Sequence, residues 1–456
     1  MTISQLSGLA TELDGQVVLP DDASYDQVRG SFNVLVDQRP AAVVFPESAR
    51  DVAAAIRFAA GAGLRVVAQG TGHNMAPLGT MDDTILLKME RMTGVSIDPA
   101  QQVARVQPGV AWGDVLAPAA QHGLIGLAGS SPAVNVVGYT LGGGASLLSR
   151  SFGLAAGNVL WVEVVTADGR IVRADREVEP DLFWAIRGGG GSFGIITEMG
   201  FQLVPQAQVY AGSLWYPMER AHEILQTWRD MATAGPPEQV STIGRLMSFP
   251  DLPMVPEQIR GQSFTTVETY DVGDGRQADD LLAPLRDLGP AMDTMAEMPA
   301  GQIGAVHMDP ETPSPWAGDD LLLADLPSGA IDALVAAGGP DARLPLTSIE
   351  IRLLGGQLGQ SRPGAGSLAE IPAPFLMYGV GLVPDPAQLP EIQDQVRAVT
   401  SAMAPWAASQ RFFNLSETSR PADSFWPKPT FDRLRQVKAA VDPDNIVRAN
   451  HPVPPA

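Results

Sequence analysis

Residues 66–79 place one of the chain's five histidines in a glycine-rich turn. The segment reads VVAQGTGHNMAPLG, an apolar run followed by Gly70, Thr71 and Gly72 and then by His73. Backbone N–H groups in such a turn can bind a diphosphate, and the imidazole at its exit can serve as a ligand, a base or a point of covalent attachment. A nicotinamide-type dinucleotide fingerprint is absent, because the third glycine is missing and no acidic residue follows at the usual spacing.

Two further glycine clusters follow along the chain, VVGYTLGGGASLLSRSFG at 136–153 and RGGGGSFGIIT at 187–197. We expect the first to be a loop that enters a helix and the second to be a loop that runs into a strand. Glycine has no side chain, so the backbone can approach a ligand closely at each cluster. An ordinary tight turn is the alternative interpretation for any one of these glycines.

The other chemistry-bearing residues exclude several kinds of site. The chain has no cysteine, so disulfides, thiolate metal sites and cysteinyl bonds cannot form. His122, His222 and His307 show neither the spacing of a metal site nor an accompanying group of carboxylates, so we predict no metal site. Ser130 and Ser131 lack the local pattern of a hydrolase nucleophile.

Charge and hydropathy limit the partners of the chain. The formal net charge is -21, from 51 acidic and 30 basic residues, which disfavours binding to nucleic acid or to an anionic membrane. The first fifteen residues have no basic start and no sustained apolar run, and no later stretch reaches the roughly 18 apolar residues of a membrane span. These patterns predict a cytoplasmic protein, and 456 residues suggest two or three domains.

The elements that must position the histidine turn alternate between strand and helix. Over residues 41–205, apolar runs such as AAVVFP and LRVVAQG flank helical segments such as SARDVAAAIRFAAGAG, which is typical of mixed α/β packing. For this helix we predict Ser48 as the N-cap, Asp51 in the first turn and Gly61 as the end.

The pattern changes after Pro205. Apolar runs predict strands at 209–215, 263–272, 348–354 and 375–383, with helical patterns at 218–232, 277–288 and 389–403 between them. We therefore expect one mostly antiparallel sheet with helices. The segment 292–344 is rich in Pro, Gly and Asp, and it is interpreted as a lid, a substrate-facing excursion or an irregular surface connection. The last helix, FDRLRQVKAAV, is predicted to end at Asp442 and Pro443.

Six motifs in order carry a family resemblance. They are QRPAAVVFPESARDVAAAIRFA, GTGHNMA, GSSPAVNVVGYTLGGG, SRSFGLAAGNV, EPDLFWAIRGGGGSFGIIT and VKAAVDPDNIVRANHPVPP. The chain resembles flavoproteins of the vanillyl-alcohol-oxidase or p-cresol-methylhydroxylase superfamily, in the berberine-bridge-enzyme-like branch. The resemblance implies an α+β fold with a two-subdomain FAD-binding domain at 1–205 (core 36–205), an α+β substrate domain at 206–409 with a mainly antiparallel sheet, and a segment at 410–456 that returns to the FAD domain.

The resemblance implies that His73 bonds to the C8 methyl carbon of FAD; the alternative is a noncovalent flavin to which His73 only hydrogen-bonds. The second attachment of some family members, through cysteine, falls here at Ser131, so His73 is the only tether that this chain can form. Val134 stands where a small residue admits oxygen to the ring, which favours an oxidase, although simple packing is the rival interpretation. The resemblance also assigns cofactor contacts to Gly70, Thr71, Gly72, Asn74, Gly138, Gly142, Gly143, Gly144, Ile196 and Asn450.

Oxidation by a flavin moves a hydride to the ring, and a nearby base speeds the reaction by taking the O–H or N–H proton. Family members often use a tyrosine of a YxNY segment, which reads FFNL here, with Asn414 retained and expected to orient substrate or flavin. The replacement candidates are Glu350, Tyr378 and Tyr139. Arg352 shares a strand face with Glu350 and is a candidate substrate anion clamp, while an internal salt bridge between them is the equal alternative.

The resulting hypothesis is an FAD-dependent oxidase. It predicts a two-electron oxidation of a small alcohol or amine, in the tailoring of a natural product, with O2 reduced to hydrogen peroxide. The alternatives are a dehydrogenase that uses another acceptor and a noncatalytic flavin-binding protein, which the missing tyrosines support. No nucleic-acid or membrane partner is expected, and the oligomeric state stays open.

Overall fold

The computed structural model describes residues 8–253, 255–342 and 345–456. Its α-helices are Tyr25–Val28, Ala49–Ala62, Trp112–Ala120, Val136–Leu141, Ser149–Phe152, Pro180–Ile186, Ala221–Thr233, Arg276–Asp287, Gly304–His307, Ser328–Gly338, Leu389–Met403 and Lys428–Val441. Among the described residues, no helix is both long enough and apolar enough to cross a bilayer.

Two sheets lie in the first half of the chain. A four-stranded sheet has the order Gln16–Val18, Ala42–Phe45, Thr84–Lys88, Arg65–Gln69, and its last three strands are parallel. An antiparallel five-stranded sheet has the order Val95–Asp98, Val103–Val106, Ile195–Gln202, Val159–Val165, Ile171–Asp175. The strand Arg65–Gln69 leads directly into the histidine turn, as the sequence predicts.

The helix Ala49–Ala62 begins as predicted, because Oγ of Ser48 accepts a hydrogen bond from the backbone N–H of Asp51 at 3.2 Å. The prediction that it ends at Gly61 is wrong. It ends at Gly63, where φ is 68°, a left-handed conformation that glycine adopts without steric cost.

The second half forms one antiparallel eight-stranded sheet. Its order is Met292–Asp293, Gln208–Pro217, Ser263–Asp271, Val240–Ser248, Ser348–Leu353, Phe375–Leu382, Trp316–Leu323, and Ala296–Pro299 also pairs with Gln208–Pro217. Alternate residues such as Ile349 and Ile351 pack against the helices, in one core with Trp228 and Val399. The opposite face of this sheet is polar and forms one wall of a cavity.

The four predicted strands and three predicted helices of this half are confirmed within three residues at each end. Sequence analysis missed the strands Val240–Ser248 and Trp316–Leu323, because Arg245 and two aspartates interrupt their apolar runs. It also missed the helix Ser328–Gly338, which lies in the segment interpreted as irregular; the last two residues of that segment, 343 and 344, lie outside the described residues.

The C-terminal helix Lys428–Val441 ends before Asp442, as predicted. Its Leu434 shares a core with Phe183 and Phe193 of the first half. The buried ammonium group of Lys438 donates to the carbonyl oxygens of Ser192 at 2.7 Å and Val447 at 3.0 Å. The C-terminal segment thus packs on the first half of the chain, and the exact domain limits at 205 and 409 stay a prediction.

Candidate active site

A cavity of about 1160 Å³ opens between the glycine-rich loops and the polar face of the eight-stranded sheet. We call its two sides the flavin-side wall, formed by the cavity-lining residues among 67–75, 129–141, 145, 190–191, 194–196 and 448–450, and the substrate-side wall, formed by those among 245–250, 252, 255–256, 259, 307–316, 347–352 and 378–384. The segment 412–417 lies between the two walls and also lines the cavity.

His73 is held on the flavin-side wall by two contacts. Its ring stacks on that of Phe32, with 3.8 Å between the centroids, and its Nδ1 lies 2.9 Å from Oγ1 of Thr71. Its Nε2 is buried and has no hydrogen-bond partner among the described residues. Burial lowers the pKa of His73 to about 4, against the opposing charge of Asp309. The imidazole is therefore neutral near pH 7.

The turn before His73 has room only for glycine. A Cβ atom on Gly70 would lie 2.3 Å from Cγ of Asn135. The side chain of Asn135 cannot move aside easily, because it accepts from the backbone N–H of Gly138 at 2.8 Å and donates to the carbonyl oxygens of Pro108 and Val110. This asparagine caps the helix Val136–Leu141 and fixes it against the turn.

The second glycine cluster contains the expected loop that enters a helix, because residues 142–148 lead into the helix Ser149–Phe152, and it also begins with a helix that was not expected, Val136–Leu141. Gly142, Gly143 and Gly144 are not among the residues that line the cavity, and their assignment as cofactor contacts stays a prediction. They allow close packing within the protein. A Cβ on Gly143 would lie 2.5 Å from Cδ2 of Leu368, and one on Gly144 would lie 2.5 Å from the ring of Tyr139.

All other residues assigned to the cofactor do line the cavity: Gly70, Thr71, Gly72, His73, Asn74, Ser131, Val134, Gly138, Ile196 and Asn450. Gly190 and Gly191 of the third cluster join them. That cluster runs through a single 3₁₀ turn, Gly190–Phe193, into the strand Ile195–Gln202, as the sequence predicts.

The substrate-side wall is built by strand register. Arg245 pairs with Glu350, and Glu350 pairs with Tyr378, so the three side chains form a row across neighbouring strands on one face. All three line the cavity. Within this row, Arg245 lies more than 100 positions from the other two residues in sequence.

His307 lies among three carboxylates, which corrects the expectation that no such group accompanies it. Its Nδ1 is 2.8 Å from Glu268, and its Nε2 is 3.2 Å from Glu350 and 3.6 Å from Asp309. Burial and Arg245 lower the pKa of His307, but the carboxylates outweigh them and raise it to about 9. The described residues hold no group of three ligands with metal-site geometry. The cluster is therefore an ion-pair network, completed by the buried pair of Arg245 and Glu268.

Glu350 and Arg352 form the internal salt bridge that was the alternative to a base and an anion clamp. Nη2 of Arg352 lies 2.7 Å from Oε1 of Glu350. Burial alone would raise the pKa of Glu350, but the charges of Arg352, His307 and Arg245 hold it well below its ordinary value. A carboxylate stabilised in this way is a weak proton acceptor.

The structure reveals a carboxylate that sequence analysis did not select, Glu417. Its Oε1 accepts from the hydroxyl of Tyr378 at 2.5 Å and from Nε1 of Trp316 at 2.8 Å. Burial raises the pKa of Glu417 to about 7, although both hydrogen bonds act in the other direction. Burial and Glu417 raise the pKa of Tyr378 well above its ordinary value, so the phenol keeps its proton and donates. The only sequence signal is the position of Glu417 three residues after Asn414.

The segment that carries Glu417 is fixed from both sides. Asp320 accepts from the hydroxyl of Ser416 at 2.5 Å and from the backbone N–H of Phe412 at 3.0 Å. Asn414 donates to the carbonyl oxygen of Tyr139 at 2.9 Å and accepts from the N–H of Gly144 at 3.0 Å. The amide of Asn414 therefore holds the glycine loop, and its predicted contact with substrate has no support in these bonds.

Tyr139 lines the cavity beside this loop, and its ring meets that of Trp112 edge-on at 5.7 Å. Its buried hydroxyl has no partner within the described part of the chain. Burial raises its pKa, so the phenol stays neutral. This state does not suit a proton acceptor near neutral pH.

Comparison with known proteins agrees with the fold and the site. Residues 40–175 match the FAD binding domain family and residues 412–454 match the "Berberine and berberine like" family. The chain is 27% identical over 474 residues to (R)-6-hydroxynicotine oxidase of Paenarthrobacter nicotinovorans, covering 98% of this chain and 99% of that protein.

Two solved structures share the fold over 99% of both chains. The BBE-like 1 protein of Physcomitrella patens superposes with a TM-score of 0.85 at 21% identity. Glucooligosaccharide oxidase of Acremonium strictum, described with a 6-S-cysteinyl, 8α-N1-histidyl FAD, superposes with a TM-score of 0.84 at 22% identity.

The protein is an FAD-dependent oxidoreductase. Its two family matches and its fold are similar to those of berberine-bridge-enzyme-like flavoproteins of the vanillyl-alcohol-oxidase or p-cresol-methylhydroxylase superfamily.

The residues present fit FAD on three observations. The unpartnered Nε2 of His73 is available for a bond, the turn at Gly70 excludes any side chain, and the glycines at 190 and 191 line the same wall. A cysteinyl bond cannot form in this chain, because it has no cysteine.

Proposed function

We propose that the protein is an FAD-dependent oxidase that removes a hydride from a carbon bearing a hydroxyl or amino group of a small organic molecule, in the tailoring of a natural product, with O2 as electron acceptor. The observation that carries this proposal is the hydrogen-bonded pair of Glu417 and Tyr378, which lines the cavity. When bound, FAD supplies the ring that accepts the hydride.

Glu417 is the proton acceptor in this proposal. A general base works best when its pKa lies near the working pH, and the pKa of Glu417 is about 7. The bonds from Tyr378 and Trp316 both end on Oε1, so they orient the carboxylate. The proton of the substrate O–H or N–H passes to this carboxylate, and Tyr378 stabilises the charge on it before transfer.

This pair removes the main support for a noncatalytic flavin-binding protein. That alternative depended on Phe412 and Leu415 in place of two tyrosines. Here the strand Phe375–Leu382 supplies the phenol, and the segment after Asn414 supplies the carboxylate. The chain therefore has both a phenol and an acid, although neither lies in the FFNL segment.

We further propose that FAD is attached through Nε2 of His73 alone. Oγ1 of Thr71 accepts from the N–H of Asn135 at 3.2 Å and lies 2.9 Å from Nδ1 of His73. If Thr71 accepts a second hydrogen bond from Nδ1–H, the lone pair of the neutral ring is on Nε2, which is the nitrogen without a partner. Acid precipitation should then retain yellow flavin in the pellet.

Use of O2 is supported by two observations. The full-length relative is named an oxidase, and Val134 lines the cavity at a position where a small side chain leaves access to the ring. Rapid reoxidation of the reduced protein by air, with formation of hydrogen peroxide, is expected; a slow return of the oxidised spectrum would instead favour a dehydrogenase.

The test is anaerobic flavin reduction in a stopped-flow instrument with a panel of alcohols and amines. For a compound that reduces the flavin, Glu417→Gln should slow reduction by about 10²-fold or more, because the amide cannot accept the proton. The rate for the wild type should rise with pH through about 7, as Glu417 ionises.

The matched control is Glu297→Gln, an exposed position on an edge strand of the same sheet, which should leave the rate unchanged. An equal rate in the Glu417→Gln protein would remove Glu417 as the base. If no compound in the panel reduces the flavin, the noncatalytic alternative is favoured.

A further inference from the structure

One loop of the substrate-side wall has an apolar inner surface. It connects the strands Val240–Ser248 and Ser263–Asp271 and spans residues 249–262, all described except 254. We call it the apolar loop. Its cavity-lining residues are Phe249, Pro250, Leu252, Val255, Pro256 and Ile259, whereas its acidic residues Asp251 and Glu257 are exposed and do not line the cavity. The apolar side chains of the loop thus face the cavity, and its two acidic side chains face away from it.

Arg260 braces this loop in place. Its Nε and Nη2 donate to the carbonyl oxygen of Val255 at 3.0 and 2.8 Å, and Nη2 also donates to that of Pro253 at 3.2 Å. The N–H of Phe249 donates to the carbonyl oxygen of Gln262 at 2.9 Å and closes the loop. The apolar side chains are therefore presented to the cavity by a fixed backbone.

The ring of Phe249 is also anchored, because it lies 6.2 Å from the ring of Trp215 and 6.3 Å from that of Phe264. The wall is extended by further apolar side chains, which are Pro310, Pro313, Leu382 and Pro384. These residues add to the apolar part of the cavity surface.

Several polar groups on this wall already have hydrogen-bond partners within the protein. Arg245 bonds to Glu268 and to the carbonyl oxygen of His307, and Oγ1 of Thr347 accepts from the N–H of Leu382 at 2.9 Å. A sugar presents hydroxyl groups on every side, and each needs a hydrogen-bond partner when it leaves water. A ligand with an apolar body needs no such partners, and the burial of its apolar area against this surface favours binding.

We propose that the substrate carries an apolar ring body, which packs against the apolar loop while its oxidisable carbon points towards Glu417, and that it is not a carbohydrate. This inference rests on the proposed function and names the class of substrate for the same site. It separates this chain in substrate class from the glucooligosaccharide oxidase whose fold it shares.

The experiment measures equilibrium binding to the FAD-loaded protein under anaerobic conditions, by the change in flavin absorption. The two probes are 2-phenylethanol and cellobiose. The dissociation constant of 2-phenylethanol should be at least 10-fold lower than that of cellobiose. Leu252→Asn and Ile259→Asn should each raise the constant for 2-phenylethanol by about 10-fold, because a buried aliphatic contact is lost.

Glu257→Gln is the matched control on the same loop and should leave both constants unchanged. Tighter binding of cellobiose, or an unchanged constant for 2-phenylethanol in both loop variants, would overturn the inference.

Failure of this inference can be distinguished from failure of the proposed function. Reduction of the flavin by cellobiose defeats only the inference, whereas binding of 2-phenylethanol as expected without reduction by any alcohol or amine defeats only the function.

Discussion

The two walls of the cavity hold their histidines in opposite states. On the flavin-side wall, burial lowers the pKa of His73 to about 4. On the substrate-side wall, carboxylates outweigh burial and raise the pKa of His307 to about 9. At neutral pH the first imidazole is neutral and the second is charged. The first can offer a lone pair, and the second can serve only as a cation in a network.

The walls also differ in how the chain builds them. On the flavin-side wall, the turn that carries His73 is one short segment, built mainly from backbone and small side chains. The substrate-side wall brings together Arg245 and Glu350 from two strands and His307 from the short helix Gly304–His307, and their partner Glu268 comes from a third strand. Local sequence therefore determines the first wall, and strand register determines the second.

The largest expected effect is a loss of folding stability when the charge network of the substrate-side wall loses a cation. Arg245→Met should reduce the free energy of unfolding by about 3–5 kcal/mol, because Glu268 and Glu350 would keep their buried charges with one partner fewer. A fall in the thermal unfolding midpoint checks this. The flavin-side wall has no comparable pair, so the shape of the flavin spectrum should be unchanged in the folded variant.

Arg276→Met is the control, because Arg276 forms an exposed pair with Asp274. Exposed pairs contribute little, so the midpoint of this variant should match the wild type. Equal midpoints for the Arg245 and Arg276 variants would contradict the view that the substrate-side wall depends on buried charge.

A second, smaller effect is the response of the substrate-side wall to high pH. The pKa of His307 is raised from 6.5 to about 9, so its protonated form favours folding. This stabilisation is complete below about pH 6.5 and is lost as the pH rises through about 9. The thermal midpoint of the wild type should fall over that range, and that of His307→Gln should start lower and change less. Parallel curves for the two proteins would show that His307 is not the titrating group.

The same contrast explains what the sequence could and could not predict. The turn at His73 and the cap at Ser48 were predictable, because their partners lie within a few residues. The charged surroundings of His307 were not, because Glu268 and Glu350 lie about 40 residues to either side and meet it only through strand pairing and a loop.

Glu417 was missed for a related reason. It follows Asn414 in a segment without strand or helix periodicity, and the bonds that Asp320 accepts and those that Asn414 forms place it beside Tyr378. For Gly142–Gly144 the sequence could not decide, because a glycine that admits a ligand and a glycine that admits a neighbouring side chain have the same sequence pattern. In the structure, side chains lie against all three positions: Asn414 at Gly142, Leu368 at Gly143 and Tyr139 at Gly144.

The smallest expected effect concerns the hydrogen bond that orients His73 on the flavin-side wall. Thr71→Val keeps the branched shape of the side chain but removes the oxygen beside Nδ1 of His73. One hydrogen bond contributes about 0.5–1.5 kcal/mol, so covalent attachment should slow by up to about tenfold, with part of the product linked through Nδ1. The measurement is the fraction of flavin retained in the acid-precipitated pellet at successive times after addition of FAD, followed by NMR of the flavin peptide.

Thr71→Ser keeps the hydroxyl and should behave as the wild type, because the acceptor and not the methyl group holds Nδ1. An equal rate and a pure Nε2 link in Thr71→Val would mean that the stacking of Phe32 alone orients the imidazole.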